Sequence, residues 1–441
     1  MRAREHTPRR VVITGLGLVS PLGNSVTELW ESLEQGRSGV AASPTLSASS
    51  LPMDFGGEAR QFTGRIEDFG PLPREQQKSL RKALKLMCRE SQMAMAAASH
   101  AMADAGLVAG GFDPQRAGIV FGSDYMLSEP EDVKDGIRQC TDTAGTFQVG
   151  RWGTEGMWKM TPLWLLKYLP NMPACHVAIF HDLRGPNNSI TAREASSNLA
   201  VGEAFRIIAR GGADLMLAGA TGTRLHPMKA IHAAQQEEVA TRGLEPAKAS
   251  RPFDFGRSGM VLGEGAGTVV LEEFSLAIAR GAPIHGEIVA AASSTVADRD
   301  FRAKRDVALA NVISWTLREG HLAPRDVGHI HAHGLSTRTS DVDEARAIGR
   351  VFADPALQVP VVAAKSYFGN LGAGSGAVEL IASILAMRHG RLFPILNYES
   401  PDPQCPIAAV RSADQEPGRN FLNLNVTAQG QASALLVRTC A

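Results

Sequence analysis

Asn188-Ser-Ile-Thr-Ala-Arg-Glu-Ala-Ser-Ser-Asn-Leu-Ala-Val-Gly-Glu-Ala-Phe-Arg-Ile-Ile-Ala-Arg-Gly-Gly-Ala-Asp-Leu-Met-Leu-Ala-Gly-Ala-Thr221 reads as a polar loop, a helix rich in small residues over Ser197 to Arg210, an apolar strand at Leu215 to Ala218 and a glycine-containing turn. A short strand that is apolar on both sides and follows a helix belongs to an α/β architecture, where helices cover both faces of a buried sheet. Lys365 to Arg388 repeats the first part of this unit, with Gly369 to Ala377 in place of Ser189 to Ala200. Two such halves place two helix N-termini near one another on a pseudo-twofold axis.

Working outward, apolar runs alternate with helical patterns along the chain. Strands are expected at Val11 to Ile13, Ala117 to Phe121, Gly267 to Leu271, Ile284 to Val289, Val361 to Ala364 and Ala434 to Val437. Helices are expected over Ser79 to Asp104, Ala303 to Arg318 and Ala377 to Arg388. Ala94 to Ala105 carries alanine at nearly every second position, which suits a helix packed closely between layers. Pro and Gly are spread evenly, so one interlocked unit is expected.

Composition excludes several function classes. Among 441 residues, 45 Lys and Arg balance 45 Asp and Glu, which argues against a general nucleic-acid binder. Cys88, Cys140, Cys175, Cys405 and Cys440 have no CxxC spacing and are odd in number. That argues against a disulfide scaffold or a zinc ribbon and fits a reducing compartment. No segment approaches about 20 uninterrupted apolar residues, so no membrane span is expected. Val11 to Val19, behind a basic N-terminus, imitates a signal peptide but lacks a small-residue cleavage pattern; a buried first strand and a cytoplasmic chain are expected.

Three motifs invite chemistry and have plainer readings. Gly15-Leu-Gly17 follows a strand but lacks the third glycine of a dinucleotide loop, and Gly263-Glu-Gly-Ala-Gly267 lacks a following GK[ST]. His329, His331 and His333 would share one strand face, which could suit a metal; without acidic or cysteine ligands at helical spacing nearby, a strand ending in a turn that presents one imidazole reads better. Thr191-Ala-Arg-Glu194 has capping-box spacing, which would place Glu194 at the third helical position, capping backwards.

Taken together, Val11 to about Val437 resembles the β-ketoacyl-acyl carrier protein synthases, the elongating ketosynthases of fatty acid and polyketide assembly. The resemblance rests on Arg10-Val-Val-Ile-Thr-Gly-Leu-Gly-Leu-Val-Ser-Pro-Leu-Gly23, Tyr168-Leu-Pro-Asn-Met172 with Leu183-Arg-Gly-Pro-Asn187, and Arg251-Pro-Phe-Asp254 with Arg257, Gly259 and Gly263 to Gly267. It extends to Ala332-His-Gly334 with Asp341 and Glu344, and to Lys365-Ser366 with Gly369. It implies a thiolase-like five-layered α-β-α-β-α fold made of two pseudo-symmetric halves, 1–275 and 276–441, and a dimer. It also implies Cys-His-His chemistry: a helix N-terminal thiolate takes an acyl group, and two histidines assist decarboxylation of a malonyl unit. Acyl groups would arrive on the phosphopantetheine arm of an acyl carrier protein, with no other cofactor and no metal.

Mapped residue by residue, the family's cysteine falls on Glu194, its first histidine on His333 and its second on Asn370. The supporting lysine and glutamate correspond to Lys365 and Glu344. The family's glycine-rich C-terminal loop aligns with Val426-Thr-Ala-Gln-Gly430, which has lost most of its glycines. Ser196 and Ser197 are expected past the first helical turn, and Cys175 as a buried structural thiol. A carboxylate is a poor acyl acceptor because its product is a reactive mixed anhydride.

The pattern is similar to a chain-length factor, or ketosynthase β subunit, that forms a heterodimer with a cysteine-containing ketosynthase and shapes the acyl tunnel, here suspected near Tyr125 to Arg138. Two alternatives stand beside it. One is a malonyl-carrier protein decarboxylase or atypical acyltransferase using His333 and Glu194. The other is a non-catalytic module that binds acyl chains or carrier protein through a basic helix face with Lys78, Arg81, Lys82 and Lys85.

Overall fold

The computed structural model describes residues 8–47, 51–107, 111–354 and 356–440. The first half contributes β1 (Val11–Val19), α1 (Arg89–Asp104), β2 (Ala117–Ser123), β3 (Asn187–Thr191), α2 (Ser196–Ala209), β4 (Leu215–Thr223), α3 (Pro227–Gln236) and β5 (Glu264–Glu273). The second half contributes β6 (Gly286–Thr295), α4 (Arg305–Glu319), β7 (His329–His331), α5 (Ser340–Val351), β8 (Pro360–Val362), α6 (Ser375–His389), β9 (Ala408–Ala409), β10 (Asn420–Val426) and β11 (Gln431–Arg438).

The strand order is β9-β8-β7-β10-β11-β6-β1-β5-β4-β2-β3. Each half repeats one pattern: its first strand is antiparallel to its last, the last is antiparallel to the one before, and the remaining strands run parallel. The halves meet edge to edge where Val11 to Ile13 pair with Ile288 to Gly286. Helices α2 and α6 lie between the half-sheets, α1 covers the outside of the first, and α4 with α5 covers the outside of the second. This is the five-layered thiolase-like arrangement expected from the sequence.

Strand alternation builds these layers. Along β4, Met216 and Ala218 pack with the central helices, whereas Leu215 and Leu217 pack on the α1 side. The glycines of the first strand serve the same layering. A Cβ on Gly15 would stand 2.2 Å from the carbonyl oxygen of Ala101, and one on Gly17 would stand 2.1 Å from that of Ala97. They let the alanine-rich α1 lie directly on β1. The N-terminal strand is completely buried, and among the described residues no helix is long and apolar enough to cross a membrane.

Several expectations need correction. Asn188 to Thr191 is the edge strand β3, and its polar residues are tolerated because one side of its ladder is unpaired. The helix expected over Ser79 to Asp104 is broken: Arg74–Ala83 is followed by a tight turn over Leu84–Leu86, and Cys88 is extended before α1. Strand β10 was hidden by its asparagines, of which Asn423 and Asn425 are wholly buried.

Candidate functional site

Strand β3 ends at Thr191, and the turn Arg193–Ala195 leads straight into α2. The capping box does not form. The Ser196 hydroxyl instead accepts from the Ala192 N–H at 2.8 Å, so Ser196 and Ser197 open the helix rather than lying past its first turn. The second central helix starts in the same way, with the Ser375 hydroxyl accepting from the Leu371 N–H at 2.9 Å. The Ser197 hydroxyl donates to the Ala373 carbonyl at 2.5 Å, which ties the two N-termini together. The juxtaposition expected from the internal repeat is present.

With no capping role, the Glu194 carboxylate turns inward. Its Oε1 accepts from the Arg224 guanidinium and from Asn370 Nδ2 at 3.0 Å. Arg224 also reaches Glu237 Oε1 at 3.1 Å, and Arg193 meets the same oxygen at 3.0 Å. Burial works against ionising Glu194, but the charges of Arg224 and Arg193, the Asn370 amide and His333 more than offset it, holding the carboxyl below its usual range. Glu194 Oε2 is buried without a hydrogen-bond partner among the described residues. Arg193 adopts φ +48°, a left-handed conformation that glycine would take without strain.

The second half supplies the remaining expected residues. His333 lies just past β7; its backbone N–H donates to Glu344 Oε1 at 2.7 Å, and that of Gly334 donates to Oε2 at 2.8 Å. Burial pushes the Glu344 carboxyl up to about 7, although these two N–H groups favour its ionised form. Burial and then the Lys365 charge hold the His333 imidazole well below its ordinary value, so it is neutral. His333 Nδ1 stands 3.3 Å from both Asn425 Oδ1 and Lys365 Nζ. The two make opposite demands: donating to Asn425 leaves Nε2 a bare acceptor, whereas accepting from Lys365 puts the ring hydrogen on Nε2. Nε2 itself has no partner among the described residues.

Lys365 and Glu344 do not pair. Lys365 donates to the His333 carbonyl at 2.8 Å and forms its ion pair with Glu379, whose Oε2 accepts from Asn425 Nδ2 at 3.0 Å. The site therefore comprises two clusters, Glu194 with Asn370 and His333 with Lys365 and Glu344. The Glu194 charge is close enough to act on the His333 imidazole. Sequence reasoning missed Arg224, Glu237, Glu379 and Asn425. Glu379 was legible as the one carboxylate in α6, and Asn425 as an amide in an apolar strand; nothing in the sequence marked Arg224.

The other two histidines of the alternating set do share a face, and protein groups fill their nitrogens. His329 Nε2 and His331 Nδ1 both meet the Ser383 hydroxyl, at 3.1 and 2.8 Å, and the Ala364 N–H donates to His331 Nε2 at 3.2 Å. None of the five cysteines stands beside Glu194. Burial and the neighbouring Glu90 push the Cys88 thiol up to about 12, and Cys175 is half-buried rather than buried.

A cavity of about 120 Å³ opens onto Glu194, lined also by Glu237, Leu335, Thr337, Val426 and Ala428. The hairpin turn between β10 and β11 closes one side of it, and Gln429 Oε1 accepts from Arg193 at 3.1 Å. Arg193 thus joins the start of α2, the turn after α3 and this hairpin across the mouth. The cavity presents the Glu194 carboxylate to a small polar guest.

Comparison with known proteins follows the same two halves. A family model described as the beta-ketoacyl synthase N-terminal domain matches residues 8–277, and one described as the C-terminal domain matches residues 285–399. The chain is 36% identical over 410 residues to 3-oxoacyl-[acyl-carrier-protein] synthase 2 of Coxiella burnetii (strain RSA 493 / Nine Mile phase I), covering 92% of this chain and 93% of that protein. Among solved structures it is similar to a type II PKS acyl-carrier protein in complex with its ketosynthase bound to the hexaketide, with TM-score 0.83, 26% identity and coverage of 98% and 100%. It is likewise similar to the ishigamide ketosynthase/chain length factor, with TM-score 0.82, 27% identity and coverage of 98% and 100%.

Proposed function

The chain belongs to the beta-ketoacyl synthase family, and on that premise we propose that it is a chain-length-factor-like subunit pairing with a cysteine-containing ketosynthase in fatty acid or polyketide assembly. The observation that carries this reading is the engagement of Glu194. It stands at the start of α2, where the family places a thiolate, and its carboxylate is already committed to Arg224 and Asn370. An ion-paired carboxylate is a weak nucleophile, and an acyl group on it would be a mixed anhydride. Condensation would then depend on a cysteine supplied by the partner, to which an acyl carrier protein delivers its phosphopantetheine-bound units.

Two surfaces support a protein partner. Strand β3 leaves one edge unpaired, with Asn187, Asn188 and Thr191 exposed. Large apolar side chains stand in solvent in the segment leading towards it, including Val149, Met157, Trp158, Leu163 and Ile179, with Trp158 81% exposed. Contiguous exposed apolar patches mark protein–protein interaction sites. The helix Arg74–Ala83 carries Lys78, Arg81 and Lys82, which suits an acidic carrier protein. Co-expression with candidate ketosynthases is expected to yield a stable 1:1 complex. A homodimer that ignores every such partner would refute this reading.

A second reading, malonyl-carrier protein decarboxylation, draws on His333 Nε2, which is buried without a partner among the described residues and, in the tautomer that accepts from Lys365, would donate to a thioester oxygen. An unpaired Glu194 would repel a malonyl carboxylate by roughly 4 kcal/mol at about 4 Å and an effective dielectric of about 20; its pairing with Arg224 removes much of that objection. Mass spectrometry of malonyl-carrier protein incubated with the pure chain tests it, with His333→Ala as control. No acetyl product above the control would exclude it.

A further inference from the structure

Resting on that placement of Glu194, we propose that this chain's own acyl site is confined to the shortest acyl units, because Lys229, held by Glu90 beneath Tyr125, fills the space a longer chain would occupy. Ser123 of β2 is level with Thr191 of β3 and Thr221 of β4, so the residues that follow these parallel strands share one crevice. Those residues are Asp124 and Tyr125, Arg193 and Glu194, and Arg224.

The cavity ends at Glu194, and Arg224 holds the carboxylate there. Asp124 is beside Arg224: a Cβ on Gly372 would lie 3.2 Å from Asp124 Oδ2 and 3.6 Å from Arg224 Cγ. Tyr125 comes next, with its hydroxyl 3.1 Å from His232 Nδ1. The Lys229 ammonium lies 5.4 Å from the Tyr125 ring centroid and donates to Glu90 Oε1 at 2.7 Å. The Lys229 and Glu90 side chains are 2% and 8% exposed. The Thr221 hydroxyl donates to the Glu90 carbonyl at 2.8 Å, fixing the start of α1 under β4.

Polar and charged side chains therefore follow one another from Glu194 to Glu90. Methylenes gain free energy by leaving water for apolar surroundings, and an ion-paired ammonium and carboxylate offer little of that. Parting the Lys229–Glu90 pair to admit a chain would leave two buried charges uncompensated. A two- or three-carbon acyl thioester, acetyl or malonyl, stops short of this wall. A chain grown in a partner subunit meets it as a barrier rather than as an extension of the tunnel.

The test uses the full-length chain. In Glu194→Cys, the new thiolate attacks the carbonyl of an acyl-pantetheine thioester, forming a protein thioester and releasing the pantetheine thiol, which intact mass reads directly. Acetyl-pantetheine is expected to label this variant, with decanoyl-pantetheine at least about tenfold slower. Adding Glu90→Ala and Lys229→Gly is expected to raise the decanoyl-to-acetyl ratio, a quantity that a merely structural role for the pair would not move. Equal labelling by both probes, or an unchanged ratio in the combined variant, would overturn the proposal. A second measurement needs no acylation: calorimetry of the unaltered chain with unreactive acetyl- and decanoyl-pantetheine thioethers. Preference for the acetyl analogue supports the proposal, whereas preference for the decanoyl analogue, or binding of neither, overturns it. Failure of co-purification with a ketosynthase would refute the partner-subunit reading and leave this size limit standing.

Discussion

The turns that open the two central helices, 192–196 and 371–375, use one backbone design for different ends. Each begins with an N–H bonded to a serine hydroxyl four residues on, and each passes through a left-handed residue at the second position. In the second half that residue is Gly372, at φ +60°; in the first it is Arg193, at φ +48°. The next position is Ala373 in one and Glu194 in the other. A side chain in the left-handed region costs about 1–2 kcal/mol. Here Glu237 and Gln429, which hold the guanidinium, can offset that cost. The comparison teaches that the repeat supplies the scaffold, and that chemistry was placed on only one copy of it, at a local cost in strain.

The most severe way to break the comparison is Arg224→Met. It leaves Glu194 buried and charged, with the Asn370 amide as its remaining hydrogen-bond donor among the described residues, and is expected to cost about 3–5 kcal/mol by urea unfolding at neutral pH. No equivalent substitution exists around Ala373.

Acidity separates the halves next, by effects on the order of 1–3 kcal/mol. The Glu194 carboxyl is lowered in the fold, so its contribution is present above the ordinary value of 4.5 and is lost as pH falls below it. The Glu344 carboxyl is raised to about 7, so its contribution is present below 4.5 and is lost as pH rises towards 7. Stability–pH curves of Glu194→Gln should flatten below about 4.5, and those of Glu344→Gln between about 4.5 and 7. Identical curves would show that neither group carries the assigned shift.

Smaller effects sharpen the backbone part. Gly372→Ala is expected to cost about 1–2 kcal/mol, from its left-handed φ and a methyl close to Asp124. Arg193→Gly relieves the same strain and loses two polar contacts, so a net change under about 1 kcal/mol is expected in thermal unfolding. A large loss there would mean that the Arg193 contacts outweigh the strain.

The layered fold was legible because buried parallel strands are apolar throughout and the helices between layers are rich in small residues. The edge strand β3 and the asparagine-bearing β10 escaped because their polar residues answer to an unpaired edge and to the site. The five site residues carried over from the resemblance fall into two clusters, Glu194 with Asn370 and His333 with Lys365 and Glu344. Their pairing was not readable: Lys365 turns to Glu379, and Glu344 serves backbone N–H groups. Which carboxylate a buried lysine meets depends on helix placement in space. Arg224 escaped for a related reason, since a cation after a strand looks the same whether it faces solvent or a buried carboxylate.

The three-residue seam joining β1 to β6 has a consequence for growth in space. It merges two half-sheets into one continuous ladder whose outer rims, among the described residues, are β3 and β9. The β9 rim is two alanines long, too short to template another chain. A ladder with one open rim and one blunted rim can dock once and then terminates, so pairing at β3 yields a closed particle and not a fibre.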